Sequence, residues 1–252
     1  MKAGKFVFKG LVLAAVLCAA VVGSVENRGG IRLVPINEVD SSANAPDSVA
    51  PADFTGLFEI REIDDSVFSR ISGVSYPAKC IVPLEDLRYL VVPHYTLDGG
   101  VEIGELICNK LIADDLIDIF RNLFNARYPI ESMRLVDDFG ADDRASMSAN
   151  NTSCFNFRNV AGTSKLSNHA RGLAIDVNPR YNPYVKRKKN GTLYVSPENG
   201  REFADRNASF PYKIDENDLL YKEFKAHGFS WGGHWKTEKD YQHFQKKIPG
   251  LK

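Results

Sequence analysis

Residues 167–178 have the sequence SNHARGLAIDVN, in which a turn is followed by a short apolar run. His169 precedes Gly172, where a residue without a Cβ lets the backbone turn back sharply. The apolar run 173–177 predicts a short buried strand, and Asp176 lies within it. A carboxylate in a buried strand is costly unless a cation compensates its charge. The segment therefore predicts a site at which His169 and Asp176 meet a charge or a metal.

A second motif near the carboxyl end completes a candidate ligand set. Residues 240–244 have the sequence DYQHF. His243, with His169 and Asp176, makes the three-ligand set of a catalytic zinc ion, whose fourth position is open to water. Asp240 precedes His243 by three residues and is predicted to be the base that deprotonates this water. The alternative for Asp240 is that it only orients His243.

The two motifs resemble those of a zinc peptidase family. The resemblance is carried by Ser167, His169, Gly172, Ala174 and Asp176, then by Trp231, Gly232, Gly233 and Trp235, and finally by Asp240, His243 and Phe244. These residues are similar to those of the VanY-type D-alanyl-D-alanine carboxypeptidases. That family also includes the L-alanyl-D-glutamate endopeptidases of phage endolysins. The similarity covers roughly residues 84–245, and the two motifs together make it specific.

The resemblance implies a role for each residue. His169, Asp176 and His243 are the implied zinc ligands, and Asp240 is the implied general base. Arg158, eleven residues before His169, resembles the family arginine that grips the substrate carbonyl or carboxylate. A guanidinium suits a developing oxyanion because it stays charged and donates in a fixed fork. The alternative for Arg158 is a structural salt bridge.

Three further residues are assigned to the substrate. Ser167 is expected to bond the substrate or orient the loop, with a plain turn serine as the alternative. Trp231 and Trp235 are expected to form the groove wall, and core packing is the alternative for both. Gln245 departs from the resemblance, because relatives commonly have Glu after His-Phe. Its amide keeps an acceptor oxygen but loses the charge.

The implied activity is hydrolysis of peptidoglycan stem peptides by a metal-activated water. Either the terminal D-Ala-D-Ala bond or the L-Ala-D-Glu bond is the target. The first cleavage needs a cation for the terminal carboxylate, and Arg158 and the basic run 186–189 are the candidates. A rival from another class is a non-catalytic, zinc-stabilised module that binds cell wall or protein, like the related Hedgehog signalling domain. Asp240 and Arg158 favour catalysis, because a binding module needs no base beside the metal.

The length and net charge of the chain limit its domain number and the kinds of partner expected. The chain has 252 residues, and its 32 lysines and arginines balance 32 aspartates and glutamates. This length suits one substantial domain or two small ones. A net charge of zero provides no field to attract nucleic acid, so we expect no nucleic-acid partner. The sequence leaves the oligomeric state open.

The amino-terminal residues have the features of a secretory signal peptide. Three lysines within the first nine residues precede an uninterrupted apolar run at 11–22. We predict a signal peptide at 1–24, a flexible linker at 25–55 and the zinc peptidase domain at 56–252. The protein is then exported to the periplasm or cell envelope and keeps no membrane span after cleavage. The alternatives are a lipoprotein at Cys18 and an uncleaved anchor, for which the apolar run is short.

Three cysteines remain after removal of that peptide, namely Cys80, Cys108 and Cys154. An odd number allows at most one disulfide. We expect the thiols to be free and buried. The alternative is one disulfide between two of the three cysteines. The chain has no CxxC motif, so a structural zinc site is not expected.

The expected fold class is α+β, with a small antiparallel sheet carrying the zinc ligands and helices packed on it, one of them around Ile112. A β-hairpin is predicted over 88–108, a helix over 112–123 and a strand over 130–136. A loop at 137–151 and a surface excursion at 179–212 are also predicted, followed by a helix over 219–227 that ends at Gly228.

Overall fold

The computed structural model describes residues 32–33 and 54–250. The predicted signal peptide at 1–24 and nearly all of the predicted linker lie outside these residues. Within the described part of the chain, no helix has the length and apolar character needed to cross a bilayer.

The structure combines helices with small sheets, which confirms the α+β class. The helices are α1 (Asp65–Ile71), α2 (Lys110–Asn125), α3 (Asp143–Ser148) and α4 (Leu219–Ala226). The strands are β1 (Arg32–Leu33), β2 (Glu59–Arg61), β3 (Leu87–Tyr95), β4 (Val101–Asn109), β5 (Ser132–Met133), β6 (Asn151–Thr152), β7 (Ala174–Asp176), β8 (Tyr184–Arg187), β9 (Leu193–Ser196), β10 (Ser230–Trp231), β11 (Lys239–Asp240) and β12 (His243–Gln245).

The predicted hairpin is the centre of the largest sheet. Strands β3 and β4 pair antiparallel along their whole length, and the sheet order is β1-β4-β3-β2. The predicted helix is α2, which begins after Asn109, whose side chain accepts a hydrogen bond from the Leu111 amide. Its apolar stripe packs mainly against β3. The same core cluster contains its apolar residues and those of the β7–β12 pair, which carries two of the predicted ligands.

The ligand sheet has the order β10-β12-β7 and is antiparallel. In the β7–β12 pair, Asp176 lies opposite His243, and Ile175 lies opposite Phe244. Successive side chains of a strand point to opposite faces. Ile175 and Phe244 therefore enter the core, where Phe224 of α4 stacks on Phe244 with ring centroids 4.5 Å apart. Helix α4 therefore packs on this sheet, and apolar residues of α2 lie in the same core cluster.

The segment predicted as a surface excursion contains a third sheet. Strands β8 and β9 form a hairpin, and β8 also pairs with β11, so that Tyr184 lies opposite Asp240. The excursion is therefore tied by backbone hydrogen bonds to the element that carries Asp240. The basic run 186–189 is exposed at the far end of this hairpin, beyond Tyr184.

Three shorter segments differ from the prediction. The strand expected over 130–136 is limited to β5, which pairs in parallel with β6. The acidic loop at 137–151 contains α3, because Asp142 caps it by accepting hydrogen bonds from two backbone amides. Within the predicted linker, the two residues of β1 pair with β4. Cys80, Cys108 and Cys154 are free thiols, and the last two are buried.

Gly172 is the close-packed point of the ligand turn. Its φ of +66° lies in the left-handed region, and its amide donates to the His169 carbonyl at 3.0 Å. A Cβ at this position would lie 2.6 Å from the backbone nitrogen of Asn109. The turn therefore packs directly against the backbone at the end of β4, which cannot move aside as a flexible side chain would.

We predict that Gly172→Ala is far more costly than Gly191→Ala. Gly191 also has a positive φ, +84°, but a Cβ there would meet nothing within 4 Å. The Gly191 variant should lose only the left-handed backbone preference, about 1 kcal/mol. The Gly172 variant should add the backbone clash and lose about 3 kcal/mol or more. Urea unfolding of both variants measures the difference, and equal losses would contradict the close approach.

Candidate metal centre

The structure brings the three predicted ligands together. His169 lies in a short 3₁₀ turn at 169–171, Asp176 in β7 and His243 in β12. All three are buried, and one ligand atom of each lies within 4.8 Å of the others. Among the described residues this is the one such cluster of histidine, cysteine and carboxylate side chains.

Backbone and amide acceptors fix which ring nitrogens face the centre. Nδ1 of His169 donates to the carbonyl oxygen of Cys154 at 2.6 Å. Nε2 of His243 donates to Oε1 of Gln245 at 3.0 Å. Because oxygen acceptors require a proton on those nitrogens, Nε2 of His169 and Nδ1 of His243 are left with their lone pairs.

These two nitrogens lie 3.2 Å apart and face the same carboxylate. His243 Nδ1 is 2.9 Å from one oxygen of Asp176, and His169 Nε2 is 3.3 Å from the other. Lone pairs and a carboxylate this close repel each other unless a cation lies among them. The arrangement is therefore suited to a divalent metal ion.

The electrostatics of the centre without metal agree with this need for a cation. Burial lowers the pKa of His243, but the hydrogen bond and charge of Asp176 outweigh burial and raise this pKa to about 9. Burial raises the pKa of Asp176, but the two histidines hold it well below its usual range. A proton on His243 can thus supply the compensating positive charge, and a metal ion bound here would displace it.

Asp240 lies beside the triad, and its pKa is shifted in the opposite direction from that of Asp176. Burial raises the pKa of its carboxyl to about 7, and the negative charge of Asp176 adds to this rise, while His243 and Arg158 act in the opposite direction. Oδ1 of Asp240 is out of contact with solvent and has no hydrogen-bond partner. A buried carboxylate oxygen without a partner is costly, and this atom is free to accept a proton from a bound molecule.

Gly232 makes the position of Asp240 possible. A Cβ on Gly232 would lie 2.6 Å from the backbone oxygen of Asp240 and 2.8 Å from its Cβ. Any larger residue would move the carboxylate. The resemblance included Gly232, but only the structure gives this reason for it.

Arg158 has both a structural partner and a position near the centre. Its guanidinium forms an ion pair with Asp143, the first residue of α3. Asp143 also accepts a hydrogen bond of 2.8 Å from the Asn156 side chain. The positive charge of Arg158 also lowers the pKa of Asp240, against the larger effects of burial and Asp176.

The remaining predicted residues divide into two groups. Ser167 is buried, and its Oγ accepts a hydrogen bond of 3.2 Å from the His169 amide, so it shapes the ligand turn. Trp231 is in the core, where it stacks on Phe244 and donates to the Tyr241 carbonyl at 2.9 Å. Trp235 is half-buried, and its ring centroid lies 5.3 Å from that of His243. Trp235 is therefore the tryptophan that borders the centre.

Several contributors were missed by sequence reasoning. The carbonyl of Cys154 is a backbone group, which residue types do not reveal. Asn168 donates to Gln245 at 2.6 Å, and its place beside His169 in the quoted segment was an available signal. Asp143 was predicted only as part of an acidic loop, and the fold brings it to Arg158 from fifteen residues away.

A comparison with protein families agrees with this site. Residues 161–246 match the model of a family described as D-alanyl-D-alanine carboxypeptidase. The match covers about a third of the chain and includes the metal triad and Asp240, but it begins after Arg158. Searches of curated proteins and of solved structures gave no significant match. The family match confirms the resemblance and supports a peptidase.

We predict that Asp240→Asn stabilises the metal-free protein at neutral and higher pH. A carboxyl whose pKa rises from 3.8 to about 7 on folding destabilises the native state as the pH increases through this interval. The gain of the variant over the original protein should be about 0.5 kcal/mol at pH 4 and reach about 4 kcal/mol at pH 8, on the order of 1.4 kcal/mol for each unit of the rise. Urea unfolding in a chelating buffer measures it.

Asp114→Asn, on the exposed side of α2, is the matched control. It should change the free energy of unfolding by less than about 0.5 kcal/mol across the same range. A gain for Asp240→Asn that stays constant with pH would contradict the raised pKa of this carboxyl.

Proposed function

We propose that this protein is a zinc-dependent peptidase that hydrolyses peptidoglycan stem peptides. One observation carries the proposal: three buried ligand atoms converge beside Asp240, a carboxylate with an unpartnered oxygen. Structural zinc sites are usually closed by four protein ligands, whereas catalytic sites have three and an open position. A base next to a three-ligand site is the arrangement expected for metal-assisted hydrolysis.

The donor set fits zinc. Four donors about 2.1 Å from a tetrahedral centre are about 3.4 Å from one another. The two histidine nitrogens lie 3.2 Å apart, close to this value, and the Asp176 carboxylate has one oxygen 2.9 Å from His243 and the other 3.3 Å from His169. Two imidazoles and one carboxylate are also ligands that zinc accepts readily. When bound, zinc supplies Lewis-acid chemistry, polarising a carbonyl and making a water molecule acidic.

The chain's own residues complete the reaction. Asp240 takes the proton of the attacking water and passes it to the nitrogen of the leaving amine. Arg158 donates to the substrate oxygen on which negative charge develops, and Asp143 holds its guanidinium in place. Trp235 borders the centre and excludes water from one side.

Arg158 is favoured over the basic run 186–189 as the grip on a substrate carboxylate or carbonyl. Tyr184 lies opposite Asp240, and Lys188 is four residues further along the hairpin. At about 3.3 Å per residue this separation is about 13 Å, too far to share an oxygen with Asp240. Lys186 is nearer, but it pairs with Glu238 at 3.2 Å.

The description of the matching family supports one of the two candidate bonds. D-alanyl-D-alanine carboxypeptidase is the activity named for the matching family, so we propose release of the terminal D-alanine. L-Ala-D-Glu endopeptidase activity is the second candidate. The apolar run at 11–22 supports export to the periplasm or cell envelope, where this substrate is found.

We predict that the purified protein shortens muropeptides in the presence of zinc and not in the presence of a chelator. Mass spectrometry distinguishes the candidates: loss of a terminal alanine indicates a carboxypeptidase, and separation of L-alanine from the stem indicates an endopeptidase. Asp240→Ala should keep bound zinc and lose about 10²- to 10⁴-fold in kcat, because the proton acceptor is gone.

Bound zinc without cleavage by the original protein would overturn the enzyme proposal and favour the zinc-stabilised binding module. Full activity of Asp240→Ala would remove this residue from the mechanism while leaving the peptidase assignment intact.

We predict that Arg158→Met lowers kcat by about 10²- to 10³-fold, the usual cost of losing one oxyanion donor. Asp143→Asn is the matched control, because it weakens the same ion pair while keeping an oxygen for Arg158 and Asn156 to donate to. It should lose less than about tenfold in kcat. Thermal unfolding checks that both variants fold. Equal losses of kcat would indicate that the arginine serves only as a structural partner of Asp143.

A further inference from the structure

We propose that Gln245 is a positioning residue that determines which nitrogen of His243 faces the metal and, through Asn168, fastens the His169 turn to β12. The inference rests on the proposed zinc centre. It concerns metal binding rather than the peptide substrate.

One oxygen carries both connections. Oε1 of Gln245 accepts a hydrogen bond of 3.0 Å from Nε2 of His243 and another of 2.6 Å from Nδ2 of Asn168. An amide oxygen has two lone pairs, so both are used. With Nε2 of His243 held as a donor, Nδ1 is the nitrogen left for the metal.

The sheet places this amide on the ligand face. Gln245 lies two residues after His243 in β12, and alternate residues of a strand share a face. β12 is the central strand, with Gln245 opposite Ala174 on one side and opposite Ser230 on the other. Backbone pairing on both edges therefore holds the Gln245 side chain against the imidazole.

Asn168 supplies the second half of the arrangement. It is adjacent to His169, and its backbone oxygen accepts from the Leu173 amide at 3.0 Å, closing the turn that Gly172 permits. Its side chain then crosses to Gln245, 77 residues away in sequence. The two histidine ligands are thus connected through one neutral amide.

The neutral amide also affects the charge of the centre. A glutamate in place of Gln245 would accept the same two hydrogen bonds but add a negative charge close to the metal. The native amide therefore provides orientation without further neutralising the cation. It follows that Gln245→Glu should retain the orientation and bind zinc more tightly.

We expect Gln245→Leu to bind zinc about 10- to 100-fold more weakly, the usual effect of losing a residue that orients a metal-bound histidine. Asn168→Ala should weaken binding several-fold, because His243 keeps its acceptor while the amide becomes free to rotate. The dissociation constant is measured on the full chain by competition with a chromophoric chelator. The visible absorption of the cobalt-substituted protein should change in Gln245→Leu, because His243 no longer presents a single nitrogen.

Ser230→Ala is the matched control. Its hydroxyl donates to the backbone oxygen of Gln245 at 3.1 Å, so this variant disturbs the same strand pair without touching the side-chain amide. It should bind zinc as the original protein does. Thermal unfolding of the metal-free variants checks that all of them fold.

Gln245→Leu with the original zinc affinity would overturn the proposal, and so would equal weakening by Ser230→Ala. A zinc affinity of Gln245→Glu at or above that of the original protein supports it. If Gln245→Leu acted only by disturbing the packing, a charged side chain at this position would not recover the affinity. If the original protein binds zinc but cleaves no peptide, the proposed activity is refuted. The zinc affinities of the variants then still test the role of Gln245. Failure of the original protein to bind zinc overturns both.

Discussion

The antiparallel pairing of β7 with β12 is the constraint on which the candidate centre depends. It joins residues 67 positions apart and places Asp176 directly opposite His243. The other face of the same pair carries Ile175 and Phe244, which are completely buried. A slip of one residue would move these apolar side chains to the centre and bury the carboxylate in the core. The hydrophobic side of the pair therefore maintains the register of the ligand side.

Asp176 and Asp240 lie in the same small region, and their surroundings shift their pKa values in opposite directions. Asp176 is close to two histidine rings that compensate its charge. Asp240 has Oδ1 without a partner, and the charge of Asp176 opposes its ionisation. Pairs of titratable groups with divergent environments commonly mark acid–base sites. The raised pKa of Asp240 in the metal-free protein is a perturbation of this kind and supports the proposed role of Asp240 as a proton acceptor.

The sequence was sufficient for those parts of the structure that local patterns determine. The β3–β4 hairpin and helix α2 followed from alternation and helical spacing, and the two motifs indicated the metal cluster. The hairpin β8–β9 was missed because Asn, Pro, Gly and Lys dominate the segment 179–212 as a whole. A local hairpin signal was nevertheless present, since β8 and β9 are rich in Tyr, Val and Leu and flank the turn residues Asn190 and Gly191. The ion pair of Arg158 with Asp143 and the acceptor role of the Cys154 carbonyl depend on tertiary proximity, which spacing does not encode.

The groups that surround the metal ligands are mostly uncharged, and this has a consequence for Asp240. His169 is oriented by a backbone carbonyl and His243 by an amide, so neither acceptor contributes a negative charge. A divalent ion held by Asp176 alone keeps one positive charge uncompensated. That charge favours the ionised form of Asp240, which the metal-free centre disfavours. In the proposed mechanism, metal binding and ionisation of Asp240 would therefore be linked, because the ion would offset the charge of Asp176 that helps to raise the pKa of Asp240.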